Sequence, residues 1–204
     1  MTTEELRESL LAAPKNGFAR ITAEDRIEME AYAKRYMAFM DEAKTEREAT
    51  DWAVREAEKY GFKPFVPGMD AKPGDKIYYN NRDKAIALAV IGTESLAKGA
   101  NICAAHVDSP RMDLKPNPLY EDSEIAYFKT HYYGGIKKYQ WVTVPLALHG
   151  VVYRKDGTVV TVTIGEDDND PVLMVSDLLI HLSADQMQKT AAKVIAAEQL
   201  NVIL

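Results

Sequence analysis

The sequence predicts an α/β fold, because helical patterns near the amino terminus give way to β-rich runs along the rest of the chain. Apolar residues recur at helical spacing over about the first 60 residues, whereas the runs from Lys76 onward are rich in β-branched and aromatic residues. Of the 204 residues, 47% are hydrophobic, so the chain can bury a core in one large domain or two small ones.

The charge balance excludes some classes of partner. The chain has 31 acidic and 25 basic residues, a net charge of −6, which argues against nucleic acid as the main partner. No apolar stretch approaches the roughly 20 residues that span a bilayer, and the acidic amino terminus lacks the features of a signal peptide. The single cysteine, Cys103, lies in an apolar run where we expect it to be buried. These features predict a cytoplasmic protein that contacts neither membrane nor nucleic acid.

Two helices are predicted before Gly61. Thr22 precedes an acidic stretch with apolar residues at helical spacing, and we expect Thr22 to be the N-cap. A second helix is expected from about Thr45 to Tyr60, because Thr45 and Glu48 match a capping box and glycine is a common stop signal. The apolar side chains of both helices are interpreted as packing residues.

The next segments predict a mixed layer of helix and strand. A loop rich in proline and glycine leads to two β-rich runs, 76–81 and 84–92, which are close enough to form a hairpin. A short helix is expected over 93–99. Residues 101–108, "NICAAHVD", are apolar nearly throughout and predict a strand that is buried on both faces.

The character of the sequence changes after Pro110. Residues 115–124 are interpreted as a proline-rich crossover without regular structure. Asp156-Gly157 lies between two alternating runs and predicts a hairpin within an antiparallel β-unit over about 125–175.

The end of the chain reads as a helix over 176–199, with Ser183 as its expected N-cap. The change in composition places a domain boundary within 112–118. We therefore expect one α/β domain over 1–114 and a second, β-rich domain over 115–204.

His106 and Asp108 are the candidate functional residues. In a strand over 101–108, residues two apart share a face, so both side chains would leave the carboxyl end together, where α/β sheets place ligand crevices. An imidazole nitrogen binds zinc, and a nearby carboxylate either orients the ring or joins the coordination. The H-x-D pattern alone is weak, and a hydrogen-bonded structural pair is the alternative interpretation.

Other reactive groups fit known chemistry less well. Ser109 lies too close in sequence to His106 and Asp108 for a catalytic triad, and nothing near Cys103 would lower the pKa of its thiol. Residues 166–170 lack the glycine and the terminal glutamate of a calcium loop, and we interpret them as a solvated turn.

The remaining histidines have open interpretations. His131 lies in a segment, 131–141, whose bases and aromatics are too few for a single-strand-binding surface in an acidic chain. It is either close to a substrate entrance or a surface hairpin residue. His149 is interpreted as a strand histidine with satisfied hydrogen bonds, and His181 as a helix-entry residue bonded to backbone.

Four segments together resemble the M18 family of metalloaminopeptidases, which includes the aspartyl aminopeptidases and aminopeptidase I. They are "AAHVDSPRMDLKPNPLYE" (104–121), "KTHYYGGIKKYQW" (129–141), "VPLALHGVVY" (144–153) and "DLLIHLSADQ" (177–186). The resemblance extends over essentially the whole chain and is closer to the bacterial aminopeptidase I type. It implies part of an α/β zinc-peptidase catalytic domain, of the phosphorylase/hydrolase-like fold, and an inserted β-rich dimerisation domain.

The resemblance also implies an activity, the removal of an acidic or neutral N-terminal residue from a peptide substrate by a homo-oligomer. In the family two adjacent divalent metals, usually Zn²⁺, activate a water and polarise the scissile carbonyl. The resemblance makes His106 a metal ligand and Asp108 the active-site carboxylate that orients it. It makes His181 a hydrogen-bond donor that reaches into the active site of the partner subunit.

The chain departs from the family pattern after Asp108, because it contains no Glu-Glu pair there. Family members supply such a pair, further carboxylates and a second histidine to the two-metal centre. We therefore expect an N-terminal portion of such an enzyme, inactive on its own. The alternative is a catalytically inert oligomerisation or interaction module that retains the fold.

Overall fold

The chain divides into two units, Met1–Ala43 and Lys44–Leu204. A computed structural model describes residues 2–12 and 16–204. The first unit is helical, whereas the second contains the strands, a long helix and every candidate residue from Cys103 onward.

The first unit contains helices α1 (Thr3–Leu10) and α2 (Ala23–Glu42). Thr22 caps α2 as predicted, because its hydroxyl accepts the Asp25 N–H at 3.1 Å and the Asp25 carboxylate accepts the Thr22 N–H at 2.8 Å. The bond from the Thr22 N–H lowers the pKa of Asp25. Helix α2 exposes several large apolar side chains: Ile27, Tyr32, Tyr36, Met37 and Met40.

Helix α3 (Glu46–Lys59) opens the second unit, and its predicted capping box is present. The Thr45 hydroxyl accepts the Glu48 N–H at 3.3 Å, and the Glu48 carboxylate accepts the Thr45 N–H at 2.8 Å. The helix ends where the sequence predicts, before Gly61, which has a φ of 84°.

A small sheet packs beside α3. It consists of β1 (Lys63–Pro64), β2 (Lys76–Asn81) and β3 (Ala85–Val90), with β1 parallel and β3 antiparallel to β2. The predicted hairpin is therefore confirmed. The Tyr78 hydroxyl of β2 donates to the Glu58 carboxylate of α3 at 2.8 Å, which links the two elements and raises the pKa of Tyr78.

The segment after β3 has less regular structure than the sequence predicts. The short helix expected over 93–99 is a single 3₁₀ turn, Leu96–Lys98. The strand expected over 101–108 is wrong, because these described residues pair with no other strand and Cys103 is exposed rather than buried. A strand forms only against hydrogen-bonded neighbours, which apolar composition does not supply by itself.

A long hairpin follows, formed by β4 (Arg111–Asp122) and β5 (Ile125–Tyr133). The structureless crossover expected over 115–124 is therefore wrong. The pairing register shifts between Leu114 and Leu119, and this irregularity accommodates two prolines that cannot donate ladder hydrogen bonds. The boundary expected within 112–118 lies inside β4.

The hairpin predicted from Asp156-Gly157 is confirmed. Strands β6 (Leu148–Tyr153) and β7 (Val159–Ile164) pair over their full lengths on either side of the predicted turn. Asp156 accepts the Thr158 N–H at 2.9 Å, and Gly157 adopts a φ of 86°, which a glycine tolerates without strain.

The helix expected over 176–199 is largely absent. Only α4 (Ala184–Met187) and two 3₁₀ turns form there. Ser183 lies at the N-cap position of the short helix α4, as predicted, but its hydroxyl donates to the Ile180 carbonyl at 3.1 Å and makes no capping hydrogen bond. Of the hydrophobic residues in this segment only Val194 and Ile195 pack against the core, and a helical pattern without a buried face is not stable by itself.

The core of the second unit lies under β5 and includes β8 (Val202–Ile203), which pairs with β5. Its buried members are Val142, Leu173, Val175, Ile195, Leu200 and Val202. The buried Thr130 hydroxyl of β5 donates to the Leu200 carbonyl and so fixes the last segment against the sheet. Among the helices of residues 2–12 and 16–204, none combines the length and apolarity that a bilayer crossing requires.

Candidate metal-ligand site

His106 and Asp108 lie close together although their backbone is not a strand. The His106 Nδ1 atom is 2.8 Å from the Asp108 carbonyl oxygen and 3.2 Å from the Asp108 carboxylate Oδ1. Both partners accept hydrogen bonds, so Nδ1 is the donor, and in the neutral ring Nε2 keeps its lone pair. The side chain of His106 is 81% exposed, which leaves this nitrogen open to a ligand.

Tyr133 supports the carboxylate from the neighbouring strand. Its hydroxyl, at the end of β5, donates to Asp108 Oδ2 at 2.7 Å. This hydrogen bond favours the ionised carboxylate, so it lowers the pKa of Asp108 and raises the pKa of Tyr133. The two oxygens of Asp108 therefore face different partners, one towards His106 and one towards Tyr133.

Arg111 holds Tyr133 in turn. Its guanidinium carbon is 4.3 Å from the centroid of the Tyr133 ring, within the range of a cation–π contact. The Arg111 Nε donates to Asp113 at 2.7 Å, and Nη1 lies 3.6 Å from Glu46 of α3. A chain of contacts thus runs from the start of α3 through β4 and β5 to Asp108.

Gly134 follows β5 and lies against Pro110. It has a φ of 76°, a conformation that side chains disfavour, and a Cβ built on it would lie 3.5 Å from atoms of Pro110. The chain after Asp108 therefore approaches the end of β5 closely, which brings the carboxylate within reach of Tyr133.

His149 has a different environment, and its predicted role as a satisfied strand histidine is confirmed. Nδ1 lies 2.8 Å from Glu48 Oε1, and Nε2 lies 2.8 Å from Glu166 Oε1. The His149 side chain is only 11% exposed. With both nitrogens engaged, this histidine joins α3 to the β6–β7 hairpin and is not available to a ligand.

The other candidate residues are exposed. His131 lies on β5, opposite Asp113 in the β4–β5 register. His181 lies in the 3₁₀ turn Ile180–Leu182, and within the described ranges its ring makes no hydrogen bond to His106 or Asp108. The structure thus brings His106, Asp108 and Tyr133 together but leaves His181 apart from them.

The turn over 166–170 is a solvated turn as predicted. The Asp170 carboxylate accepts the Gly165 N–H at 2.8 Å and the Asp167 N–H at 3.4 Å, and the first of these bonds is the main cause of its lowered pKa. This turn positions the Glu166 that binds His149.

A cleft of about 850 Å³ lies in the second unit, beside the contacts of Arg111. Its wall is mostly apolar, and Glu46, Arg111 and Asp113 are among its polar lining residues. His106, Asp108 and His181 are not part of this wall, so the cleft and the candidate ligand occupy different places.

The available donor atoms could supply one ligand of a zinc site but not a complete set of ligands. His106 offers an open imidazole nitrogen with an oriented ring, as zinc-binding histidines require. Across residues 2–12 and 16–204, no group of three or more histidine, cysteine, aspartate or glutamate side chains is arranged to hold a metal ion. A zinc site needs about four ligands, so His106 would supply at most one of them.

Sequence reasoning found His106 and Asp108 but missed Tyr133 and Arg111. Tyr133 is 25 residues from Asp108 in sequence, and the contact depends on the pairing of β4 with β5. The available signals were the Gly-Gly that follows Tyr133 and the arginine that directly follows the Ser109-Pro110 step. Neither indicates a contact with Asp108 until the hairpin is known.

Comparison with known families shows a match over most of the chain. Residues 39–204 match the model of the family described as aminopeptidase I zinc metalloprotease (M18). A Clostridium acetobutylicum protein named "Probable M18 family aminopeptidase 1" is 49% identical over 199 residues, which cover 96% of this chain and 43% of that protein. A Thermotoga maritima protein of the same name is 47% identical over 158 residues, covering 78% of this chain and 35% of that protein.

Solved structures agree with the sequence comparison. The crystal structure of the M18 aminopeptidase from Thermotoga maritima superposes with a TM-score of 0.84 and 42% identity, over 95% of this chain and 42% of that one. Aminopeptidase I from Clostridium acetobutylicum gives a TM-score of 0.82 and 45% identity, over 96% of this chain and 43% of that one. The chain therefore spans less than half the length of the relatives it matches.

Proposed function

Because this chain belongs to the M18 family of zinc aminopeptidases, we propose that it forms part of a metal-dependent aminopeptidase that removes N-terminal residues from peptides. The observation that carries the proposal is the His106 ring, whose Nδ1 is held by Asp108 while Nε2 faces outward. This is the arrangement in which a histidine binds a divalent metal, with a carboxylate fixing its tautomer.

We assign His106 as one metal ligand and Asp108 as the carboxylate that orients it. When bound, zinc would supply Lewis-acid chemistry that polarises the scissile carbonyl and lowers the pKa of an attacking water. Asp108 itself does not need to touch the metal, because its two oxygens already face His106 and Tyr133. The family chemistry uses two such metal ions per active site, and zinc or another divalent metal would suit the histidine donor.

Residues 2–12 and 16–204 supply too few grouped ligands for tight metal binding. One open histidine nitrogen cannot satisfy the roughly four ligands of a zinc site. We therefore infer that this chain alone binds zinc weakly and has no measurable aminopeptidase turnover. The remaining ligands and the general base would come from the part of the enzyme that the relatives have and this chain does not match.

We propose that His181 acts across an interface between two copies. The residues around it expose much apolar surface, as a segment covered in an assembly would, and Leu179 is 72% exposed. The exposed apolar side chains are Leu178, Leu179, Ile180, Leu182 and Met187. On this proposal the β-rich part from about residue 115 onward mediates self-association, and the His181 ring donates to the developing oxyanion of the partner subunit's substrate.

The proposal is tested in a chimera that joins this chain to the rest of the Clostridium acetobutylicum relative. The chimera should hydrolyse aminoacyl anilides, and a chelator should abolish this activity. His106→Ala and His181→Ala should each lower turnover by about 10²-fold or more, because each removes a group needed at the reaction centre. The matched control His131→Ala removes another exposed histidine and should retain activity.

Mixing the two inactive variants separates action in trans from action within one subunit. A hybrid dimer of His106→Ala and His181→Ala subunits contains one composite site with both histidines, so activity should partly return. Hybrids that stay inactive while native subunits exchange freely would contradict the role in trans. A chimera that is folded, loaded with zinc and inactive on every aminoacyl anilide would contradict the proposed activity itself.

A further inference from the structure

We propose that Tyr133 is a positioning residue for His106, acting through the Asp108 carboxylate, and that Arg111 holds the Tyr133 ring in place. This inference rests on the proposed function, in which His106 binds a metal. The geometry that carries it is a continuous series of contacts from the sheet to the imidazole.

The Asp108 carboxylate needs support from outside its own segment. The backbone over 101–110 forms no strand or helix, so it does not by itself fix the direction of a side chain. The Oδ1 contact to His106 is 3.2 Å, longer than the 2.7 Å bond that Oδ2 receives from the Tyr133 hydroxyl. The shorter bond is therefore the one that determines how the carboxylate is turned.

Tyr133 is well placed to provide this support, because it lies on a paired strand. It is directly opposite Arg111 in the register of β4 and β5. The guanidinium is 4.3 Å from the ring centroid and is itself tied to Asp113 at 2.7 Å. The hydroxyl of Tyr133 is thus attached to the sheet, whereas Asp108 and His106 lie on the irregular segment.

A second contact ties the same arginine to α3. Arg111 Nη1 lies 3.6 Å from Glu46, the first residue of the helix. Three separate elements, α3, β4 and β5, therefore hold one tyrosine hydroxyl at Asp108. Such support is expected for a ligand that must be oriented before the metal arrives.

Loss of the hydroxyl has a specific consequence for His106. Without the bond to Oδ2, Asp108 is no longer attached to the sheet, so both of its contacts with Nδ1, the carbonyl oxygen at 2.8 Å and Oδ1 at 3.2 Å, can loosen. The ring would sample both neutral tautomers, and a fraction of molecules would present a protonated Nε2 to the metal. Removal of a residue that supports a metal ligand typically lowers metal affinity about 10–100-fold.

Tyr133→Phe tests the inference, because it keeps the ring and the contact with Arg111 and removes only the hydroxyl. The first readout is the pair of ring ¹⁵N shifts of His106, measured without metal in residues 1–204. The native chain should show a protonated Nδ1 and a bare Nε2 in the neutral ring. Tyr133→Phe should move both shifts towards the values of a tautomer mixture, and Asp108→Asn should do the same.

Tyr132→Phe is the matched control, since it makes the same chemical change one residue away on β5. It should leave the His106 shifts at their native values. The second readout is zinc affinity in the chimera, where Tyr133→Phe should raise the Kd about 10–100-fold and Tyr132→Phe should not change it. Unchanged ¹⁵N shifts and unchanged affinity in Tyr133→Phe would overturn the positioning role.

His106→Ala and Tyr133→Phe together distinguish a wrong positioning role from a wrong metal ligand. If His106→Ala leaves zinc affinity in the chimera unchanged, then His106 is not a ligand and both proposals fall. If His106→Ala lowers the affinity but Tyr133→Phe changes neither the tautomer nor the Kd, only the positioning role is lost.

Discussion

His106 and His149 are both histidines beside carboxylates, yet the structure uses them in opposite ways. His149 has a carboxylate oxygen 2.8 Å from each ring nitrogen, and its side chain is 11% exposed. His106 has partners at Nδ1 only, and its side chain is 81% exposed. The number of engaged nitrogens therefore distinguishes a histidine that holds elements together from one that can bind a ligand.

The comparison shows why a histidine-carboxylate pair alone does not identify a metal site. The two Glu partners of His149 come from α3 and from the turn after β7, so the ring acts as a tie between elements. The partner of His106 is two residues away on the same segment, so the pair ties nothing together and leaves Nε2 free. Only the second arrangement leaves a ring nitrogen available to a ligand.

Substitution of the two histidines by alanine would test this contrast most strongly. His149→Ala should lower the free energy of unfolding by about 2–3 kcal/mol, because it removes two hydrogen bonds to charged groups and leaves both carboxylates without that partner. His106→Ala should change it by less than about 0.5 kcal/mol, as expected for an exposed side chain outside the core. Urea denaturation of residues 1–204, followed by circular dichroism, measures both changes.

Equal losses in the two variants would contradict the contrast. A loss near zero for His149→Ala would mean that water replaces the histidine at Glu48 and Glu166 at no cost. A large loss for His106→Ala would mean that the segment 101–110 has a structural role that its exposure does not show.

A substitution at Asp170, in the turn that follows the β6–β7 hairpin, should have a smaller effect on stability. The Asp170 carboxylate accepts the N–H groups of Gly165 and Asp167, and these bonds lower its pKa. A lowered pKa in the folded state means that the unfolded chain binds more protons at low pH, so stability rises with pH. The contribution is complete above the ordinary aspartate pKa of roughly 3.9 and is lost as the pH falls through the lowered value.

Asp170→Asn should remove this pH-dependent contribution. At pH 7 the variant should have a lower melting temperature than the native chain, and the two should converge as the pH falls through the lowered pKa of Asp170, because the native carboxylate is then protonated. Thermal unfolding between pH 2 and pH 7 measures the difference. A constant difference across that range would show that the N–H bonds to Asp170 do not depend on its charge.

Local signals in the sequence predicted the parts of the fold that depend on neighbours along the chain. The structure contains the predicted helix cap at Thr22, the capping box of Thr45 and Glu48, and the hairpin turn at Asp156-Gly157. Each of these features depends on hydrogen bonds or backbone angles within a few residues. The predicted strand over 101–108 failed for the opposite reason, because strand formation depends on partners that are distant in sequence.

The candidate site shows the same division. The sequence indicated the contact between His106 and Asp108 because residues two apart lie close together in several backbone conformations. The contact therefore forms even though the predicted strand is absent. The support from Tyr133 and Arg111 was missed because it requires the β4–β5 pairing, including the register shift between Leu114 and Leu119. The prolines of β4 led to the prediction of a crossover without regular structure. Pairing with β5 nevertheless makes this segment a strand.

The central claim, that His106 Nε2 is a metal ligand and His149 is not, is tested most directly by anomalous diffraction at the zinc edge. Crystals of the zinc-loaded chimera should show an anomalous peak about 2.0–2.1 Å from His106 Nε2, the usual zinc–nitrogen distance, with Asp108 still bonded to Nδ1. No peak should lie within bonding distance of His149. A fully occupied zinc site away from His106, or one bound through His149, would contradict the account.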